Sequence, residues 1–403
     1  MVSTASDDDP SQGPLPPSRR IEAIDVLRGL ALFGVLAMNI VTIFRVSIFA
    51  QFLPDAEPGG PLDRAVAAVL TVAVDFKALA LFSLLFGAGL AIQFERLAGN
   101  ARRMILLVRR LAVLLAIGLV HLYLIWNGDI LVEYALAGFV VLPFLCGPRW
   151  LMAGTALLLL GLYVTMPLLP PIVSLPGAAG LAVLVRDATH IYGTGGFFDV
   201  LAFRIHEVPA IFPLHVMVFP RTVALFLVGA LAWRSGMLRH AAANRRLLVG
   251  VATFAILLGG GLSLAAAGRE LFDWPSLGSW RFPTERLGAI VLASGYAAAV
   301  IAAVNVPRGR RMLAWAAPLG RMAFSNYLAQ SVICSWIFYG YGLGQFGRLG
   351  AAATLAIGIL VYGAQAMFSA WWLRRYRYGP VEWLWRSLMY GSWQPMALQA
   401  QPA

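Results

Sequence analysis

Apolar runs of about twenty residues follow one another along most of the chain, from Ile24 to Trp372, with short polar segments between them. A helix of about twenty residues spans the hydrocarbon layer of a bilayer. We therefore predict ten transmembrane helices, at approximately 24–44, 66–95, 104–126, 130–147, 150–169, 211–234, 246–267, 285–305, 314–340 and 349–373. The second run is longer than one crossing requires, so we expect it to tilt or to break at Asp75 and Lys77.

The loops between these runs differ in charge. Arginines precede the first predicted span and follow every even-numbered one, whereas the other loops carry fewer arginines and more acidic residues. The positive-inside rule then places both termini in the cytoplasm. The predicted fold class is all-α, a polytopic integral membrane protein of about ten transmembrane helices. Its predicted binding partner is the lipid bilayer. The arginine- and alanine-rich composition favours a bacterial source, and with it a multi-pass protein of the inner membrane.

Composition agrees with this class and excludes others. Hydrophobic residues make up 60% of the chain and charged residues 12%, with a mean hydropathy of +0.76, unlike a soluble domain. The net charge of +12 comes almost wholly from arginines in short loops, which indicates membrane topology and not a nucleic-acid partner. Cys146 and Cys334 lie alone in apolar runs without the spacing of metal ligands, so no metal site is predicted. The sequence also contains no P-loop, HExxH or GxSxG motif, which argues against a nucleotide-driven pump or a metalloprotease.

The polar segments divide the chain into five predicted parts. These are a disordered cytoplasmic tail (1–19), an N-terminal half-bundle of about five helices (20–169), an exterior loop or lid (170–210), a C-terminal half-bundle of about five helices (211–378), and an interfacial helix with a tail (379–403).

Two predicted spans carry polar residues eleven positions apart. Arg28 and Asn39 have this spacing in the first span, and Arg110 and His121 have it in the third. At about 100° and 1.5 Å per residue, each pair returns to one helix face with about 16 Å between its members. Polar groups in lipid are costly, so both faces should line a common path through the bundle, although arginines are also common at inner helix ends.

His121 is the first candidate catalytic base. Imidazole exchanges protons near neutral pH, and a neighbouring carboxylate would fix its tautomer and stabilise the imidazolium. Asp129 and Glu133 follow shortly after it and are the candidates for that carboxylate. The alternative is an interfacial histidine bonded to backbone.

Basic residues near the predicted cytoplasmic surface could bind a phosphate-bearing cofactor. Arg28, Arg109 and Arg110 carry guanidinium groups that suit phosphate geometry. Asp25 lies three residues before Arg28, so a local ion pair that neutralises both is the alternative interpretation.

Three further polar groups have a structural and a functional interpretation. A proline-interrupted segment at the start of the sixth span either lines a water-filled cavity or lies among headgroups, and it carries His206, Glu207, His215 and Arg221. Asn326 and Gln330 share a face of the ninth span, where interhelical hydrogen bonds are expected. Glu382 and Arg386 have the spacing of a pair on an interfacial helix.

Several motifs together resemble one family of bacterial membrane proteins. They are 25–31 (DVLRGLA) with Asn39, 81–89 (LFSLLFGAG), His121 with 128–131 (GDIL) and Tyr134, 320–330 (GRMAFSNYLAQ) and 379–386 (GPVEWLWR). On these motifs the chain resembles the YeiB-like proteins, or domain of unknown function 418, over most of its length.

That family is in turn distantly similar to transmembrane acyltransferases such as heparan-alpha-glucosaminide N-acetyltransferase, through the D-x-x-R-G start and the later asparagine. The likeness implies cytoplasmic acyl-CoA as the donor, an acceptor on the other side of the membrane, and a match between Asn39 and a polar active-site residue. The animal enzyme has a catalytic histidine shortly after this asparagine, whereas 44–52 contains none here, so His121 would replace it from another helix.

The first functional hypothesis is therefore a membrane-embedded acyltransferase that moves an acyl group from acyl-CoA to an exterior hydroxyl or amine, on a small molecule or a lipid. His121 would be the base, supported by Asp129 or Glu133, and Asn39 would bind the developing oxyanion. The alternatives are a transporter or exporter of a small molecule or lipid, and a non-catalytic membrane protein.

Overall fold

The computed structural model describes residues 22–53, 59–272 and 274–398, and the predicted disordered tail lies outside these ranges. The helices are α1 (Glu22–Asn39), α2 (Pro61–Ala73), α3 (Lys77–Arg96), α4 (Arg103–Val120), α5 (Leu131–Cys146), α6 (Arg149–Thr165), α7 (Ala178–Thr194), α8 (Phe197–Arg234), α9 (Arg245–Phe272), α10 (Arg281–Val304), α11 (Pro307–Leu313), α12 (Ala316–Arg321), α13 (Ala323–Phe338), α14 (Ala351–Trp372) and α15 (Pro380–Tyr390). Apart from one isolated bridge between Tyr376 and Ala397, these residues contain no β-structure.

The predicted fold class is confirmed: the protein is an all-helical, polytopic membrane protein. Within the described chain, eight helical stretches are long and apolar enough to cross a membrane, and α5 is a shorter apolar helix. The predicted ninth span is divided at Met322 into the short α12 and the 16-residue α13. The second apolar run is broken at the expected place, because α2 ends at Ala73 and α3 begins at Lys77.

The segment 170–210, predicted as an exterior loop or lid, is largely helical. It contains α7 and the first part of α8, and α8 continues without interruption from Phe197 to Arg234, so no element boundary lies at 210. Gly196 caps the start of α8, and its backbone N–H donates to the Asp199 carboxylate at 2.9 Å. Three prolines lie inside α8 and did not end it, although each lacks a backbone donor.

Helix ends meet on two sides of the bundle. On the side that we call the arginine-rich side, Arg239 in the segment between α8 and α9 pairs with Glu95 of α3 at 2.6 Å, and Arg310 of α11 pairs with Glu22 of α1 at 2.5 Å. On the opposite side, the Asp63 carboxylate of α2 accepts the backbone N–H of Ala352 in α14 at 2.8 Å. This division agrees with the loop charges from which the topology was predicted.

Glycines allow the closest helix contacts. A Cβ at Gly320 of α12 would overlap the backbone carbonyl of Asp25 in α1, and one at Gly29 would overlap that of Ala316. Gly87 of α3 and Gly229 of α8 show the same arrangement across their shared contact. Membrane helices pack through small residues in this way, since lipid and apolar side chains are equally apolar.

A matched pair of alanine substitutions tests this contact. Gly320→Ala should destabilise the protein by about 1–3 kcal/mol, because α1 and α12 must separate to admit the methyl group. Gly363→Ala in α14 is the control, since no atom lies within 4 Å of the added Cβ there. The measurement is thermal unfolding in detergent, and equal melting temperatures for the two variants would contradict the packing argument.

Candidate functional site

A cavity of about 380 Å³ opens on the arginine-rich side. We call it the arginine cavity, because six arginines and two carboxylates line it: Arg28, Arg96, Arg110, Arg321, Arg377, Arg386, Asp25 and Glu382. Its volume lies in the range of small-molecule sites, roughly 300–1,000 Å³. The excess of guanidinium groups makes the opening suitable for a polyanionic ligand.

Arg28 and Arg110 lie on different helices and face this same cavity. Arg28 is 3.7 Å from the Asp25 carboxylate, and the lack of a side chain at Gly89 leaves room for its guanidinium group. Arg110 bonds to Gln93 of α3 and stacks over the Trp385 ring at 4.5 Å. The ion pair between Arg28 and Asp25 and the cavity shared by Arg28 and Arg110, which the sequence offered as alternatives, are therefore both present.

Helix α15 forms one wall of the cavity through Glu382. The Glu382 carboxylate accepts the backbone N–H groups of Phe324 and Ser325 at 2.8 and 3.1 Å, and it also accepts the Ser325 hydroxyl. The carboxylate therefore caps the first turn of α13, a role that the spacing to Arg386 did not indicate. Burial raises the pKa of the Glu382 carboxyl above its ordinary value of 4.5, although the hydrogen bonds from Ser325 and the backbone lower it in part.

The deeper part of the cavity is apolar and aromatic. Phe82, Phe86 and Leu114 line it, and Tyr134 and Tyr327 also lie on its wall. The Tyr134 hydroxyl is held by Ser83 at 2.9 Å and by the Leu79 carbonyl at 3.1 Å. A long flexible group could therefore extend from the arginines towards these two tyrosines.

His121 and Asp129 form a fully buried pair beside this deep end, and neither of them lines the cavity itself. His121 Nδ1 is 2.7 Å from Asp129 Oδ1, and the His121 ring centroid is 5.2 Å from that of Tyr327. Asp129 Oδ2 accepts the Val132 N–H at 2.8 Å. A carboxylate partner keeps the imidazole proton on Nδ1, which leaves Nε2 as a free base. Nε2 is buried without a hydrogen-bond partner.

A π-helical turn, His121–Ile125, continues α4 at this point. The turn ends at Trp126, whose backbone N–H donates to the His121 carbonyl at 2.8 Å. A second π-helical turn, Ile40–Phe44, continues α1, and the Phe44 ring stacks on Trp126 at 4.1 Å. The two helices that carry Arg28 and Arg110 thus both reach the surroundings of His121, and π turns are frequent at functional sites.

Three predicted site residues are not part of this arrangement. Asn39 is buried at the end of α1 but does not line the arginine cavity, and no side-chain hydrogen bond of Asn39 is present in the described chain. Arg109 is exposed beside Gly391. Glu133 contacts His215 at 3.0 Å and also accepts the Thr222 hydroxyl, so Asp129 alone partners His121.

A second buried group lies around Glu207 on the opposite side. Glu207 Oε2 accepts the Tyr192 hydroxyl and the Asn127 amide, both at 2.5 Å. Asn127 and Asp129 belong to the same short segment between α4 and α5, so buried side chains hold this segment at both positions. His206, the chain neighbour of Glu207, is exposed.

Sequence reasoning missed Tyr327 and Trp126. Each carries a buried polar atom without a partner, the Tyr327 hydroxyl and Trp126 Nε1, and each contacts His121 through its ring. Asn326 and Gln330 instead bond to Ser369 and Gln365 of α14, the interhelical role expected of them. The available signal was the position of Tyr327 inside the motif 320–330.

The pH dependence of stability tests the role of Glu382. A carboxyl whose pKa is higher in the folded chain contributes stability that is full below its unfolded value and is lost as the pH rises through the raised value. The melting temperature of the wild type should therefore fall more steeply above pH 4.5 than that of Glu382→Gln, which keeps an oxygen for the two amides. Parallel curves for the two proteins would contradict the assignment.

The chain is similar to one protein family and to proteins of several bacteria. The family model "Protein of unknown function (DUF418)" matches residues 232–392. An "Uncharacterized protein YxaH" of Bacillus subtilis (strain 168) is 34% identical over 94% of this chain and 96% of its own length. An "Uncharacterized protein YeiB" of Escherichia coli (strain K12) is 32% identical over 91% of this chain and 95% of its own.

Proposed function

Because the chain belongs to the YeiB-like DUF418 family, whose matched relatives are described without an activity, we propose a function from the site itself: a membrane-embedded acyltransferase that uses acyl-CoA. The observation that carries the proposal is the arginine cavity, which leads from six arginines to the deep tyrosines beside the buried pair of His121 and Asp129. Phosphate-binding groups thus line the open part of the cavity, and the free base lies behind the Tyr327 ring at its deep end.

The residues of the cavity fit an acyl-CoA donor. Arg28, Arg110 and their neighbours would bind its phosphates, since guanidinium groups form paired hydrogen bonds to phosphate oxygens. Phe82, Phe86 and Leu114 would contact its flexible arm. The positive-inside rule supports the cytoplasm as the compartment of this opening, and therefore a bacterial inner membrane as the location.

The buried pair supplies the base. As the acceptor oxygen or nitrogen bonds to the acyl carbon, its proton moves to Nε2 of His121, and Asp129 stabilises the resulting imidazolium. The bond from acyl carbon to sulfur breaks, and the proton passes from His121 to the departing thiolate. The products are an ester or amide and free coenzyme A. The unpartnered Tyr327 hydroxyl could donate to the acyl oxygen, in place of the role predicted for Asn39.

Donor binding tests the first half of this proposal. Arg28→Gln and Arg110→Gln should each weaken coenzyme A binding to the purified protein by about 10- to 100-fold, because each removes a charge-assisted hydrogen bond. Arg308→Gln is the matched control, since Arg308 is exposed on the same side outside the cavity. Isothermal titration in detergent measures the affinity. Equal weakening by all three variants would point to nonspecific attraction, and an absence of wild-type binding would overturn the proposal.

Catalysis tests the second half. His121→Ala should lower the rate of acyl transfer to an added acceptor by about 10²- to 10⁴-fold, the usual contribution of a general base, with donor binding retained. His190→Asn is the control, because His190 is exposed on α7. The readout is release of free coenzyme A thiol. Undiminished release by His121→Ala would exclude it as the base, and substrate flux without thiol release would favour the transporter hypothesis.

A further inference from the structure

The break between α2 and α3 holds a strained residue. Phe76 has φ of +57°, and it is the one residue other than glycine with a positive φ in the described chain. A bulky side chain at such an angle is unfavourable and persists where the surroundings impose it. The break leaves Asp75 and Lys77 on either side of Phe76, in the outer part of a membrane-spanning segment.

Arg221 of α8 lies against this break. Its side chain is 2% exposed, and its guanidinium carbon lies 5.9 Å from the Phe76 ring centroid and 5.6 Å from that of Tyr163. Its Nε and Nη1 atoms are buried without any hydrogen-bond partner. Buried guanidinium groups are normally paired, since an unpaired buried charge is costly. Arg221 therefore presents two buried donor atoms for which the described chain supplies no acceptor.

Two carboxylates near Arg221, those of Glu133 and Asp75, do not supply such an acceptor. Both oxygens of Glu133 are occupied, by His215 and by Thr222. Asp75 lies close enough to interact with Arg221 through its charge, but no ion pair within 4.0 Å joins Arg221 to any described carboxylate. A second guanidinium group, that of Arg286, donates to the Tyr163 carbonyl at 2.6 Å in the same region.

The depth of Arg221 indicates access from the opposite side. Arg221 is thirteen residues from Arg234, where α8 ends on the arginine-rich side, which is about 20 Å along a helix axis. The hydrocarbon layer is about 30 Å thick, so Arg221 lies about 10 Å below the opposite surface. His215, between Arg221 and that surface, has 35% of its side chain exposed.

We propose that Arg221, with the Asp75–Lys77 break and Tyr163 around it, forms a second binding site that takes an oxyanionic group, a phosphate or carboxylate, from the opposite side of the membrane. The inference rests on the proposed function in one respect, because it assigns this oxyanionic group to the molecule that accepts the acyl group. Thr222, next to Arg221, donates to Glu133, and the adjacent Tyr134 lines the arginine cavity. Helix α5 thus separates a donor site from an acceptor site.

The test measures anion binding without any acyl donor. The full chain carries Arg28→Gln and Arg110→Gln throughout, so that the arginine cavity does not contribute. The melting temperature in neutral detergent is measured in the presence of inorganic phosphate, of succinate, or of phosphatidylglycerol, with phosphatidylcholine as the control lipid. A ligand that binds the folded state raises the melting temperature. A response to phosphatidylglycerol alone identifies a lipid headgroup as the source, and a response to phosphate or succinate identifies a soluble anion.

Arg221→Gln should lower the anion affinity, obtained from the concentration dependence of the melting temperature, by about 10- to 100-fold, the loss expected for a charge-assisted hydrogen bond. Arg221→Lys keeps the charge and should weaken it less. Asp75→Asn removes a nearby negative charge and should strengthen binding, which keeps the test decisive if Arg221→Gln does not fold. No response to any anion, or responses that neither Arg221→Gln nor Asp75→Asn changes, would overturn the second site. Failure of acyl transfer alone would leave this result intact.

Discussion

A hydrogen-bonding or charged side chain in the hydrocarbon layer must find its partner inside the protein, because lipid offers none. Most of the buried polar residues in the described chain obey that constraint. His121 is matched by Asp129, Glu133 by His215 and Thr222, and Glu207 by Tyr192 and Asn127. The side-chain atoms that remain unmatched in the described chain are therefore informative: three lie at or beside His121, two belong to Arg221, and the others are Arg204 Nε, Glu207 Oε1, Ser263 Oγ and Thr354 Oγ1.

Periodicity and loop charge were sufficient to predict the fold. Long apolar runs have one stable solution in a bilayer, so the class and most helix positions followed directly from the pattern. The exceptions have local causes. Helix α12 is separate from α13, and its Gly320 packs on the backbone of α1, a three-dimensional contact that hydropathy does not register. Helix α8 extends to Phe197 because Asp199 caps its first turn, whereas the prolines had suggested an end.

The candidate site was predictable only in part, for a geometric reason. Eleven-residue spacing places two side chains on one helix face, but it does not say what covers that face at each depth. Arg110 and Arg28 both line the cavity at their level. Asn39 lies about 16 Å further along α1, next to a segment packed closely on Gly358 of α14 through Ile40, and so it is removed from the cavity. Which carboxylate would reach His121 likewise depended on the turn between α4 and α5.

That turn explains why the short helix α5 is central to the molecule. Asp129, Glu133 and Tyr134 lie within six positions of the chain, yet each serves a different neighbour: the buried base, the His215 pair, and the wall of the arginine cavity. At about 100° per residue, Glu133 and Tyr134 must point in different directions, so a single helix turn presents polar groups to two separate regions. The acyl transfer that we propose would need such a partition between the two compartments, thin enough for the reacting atoms to meet and closed to a continuous path of water. The 16 residues of α5 are too few to span the bilayer as a straight helix, which leaves the segment 126–130 free to carry His121's partner into the middle of the bundle.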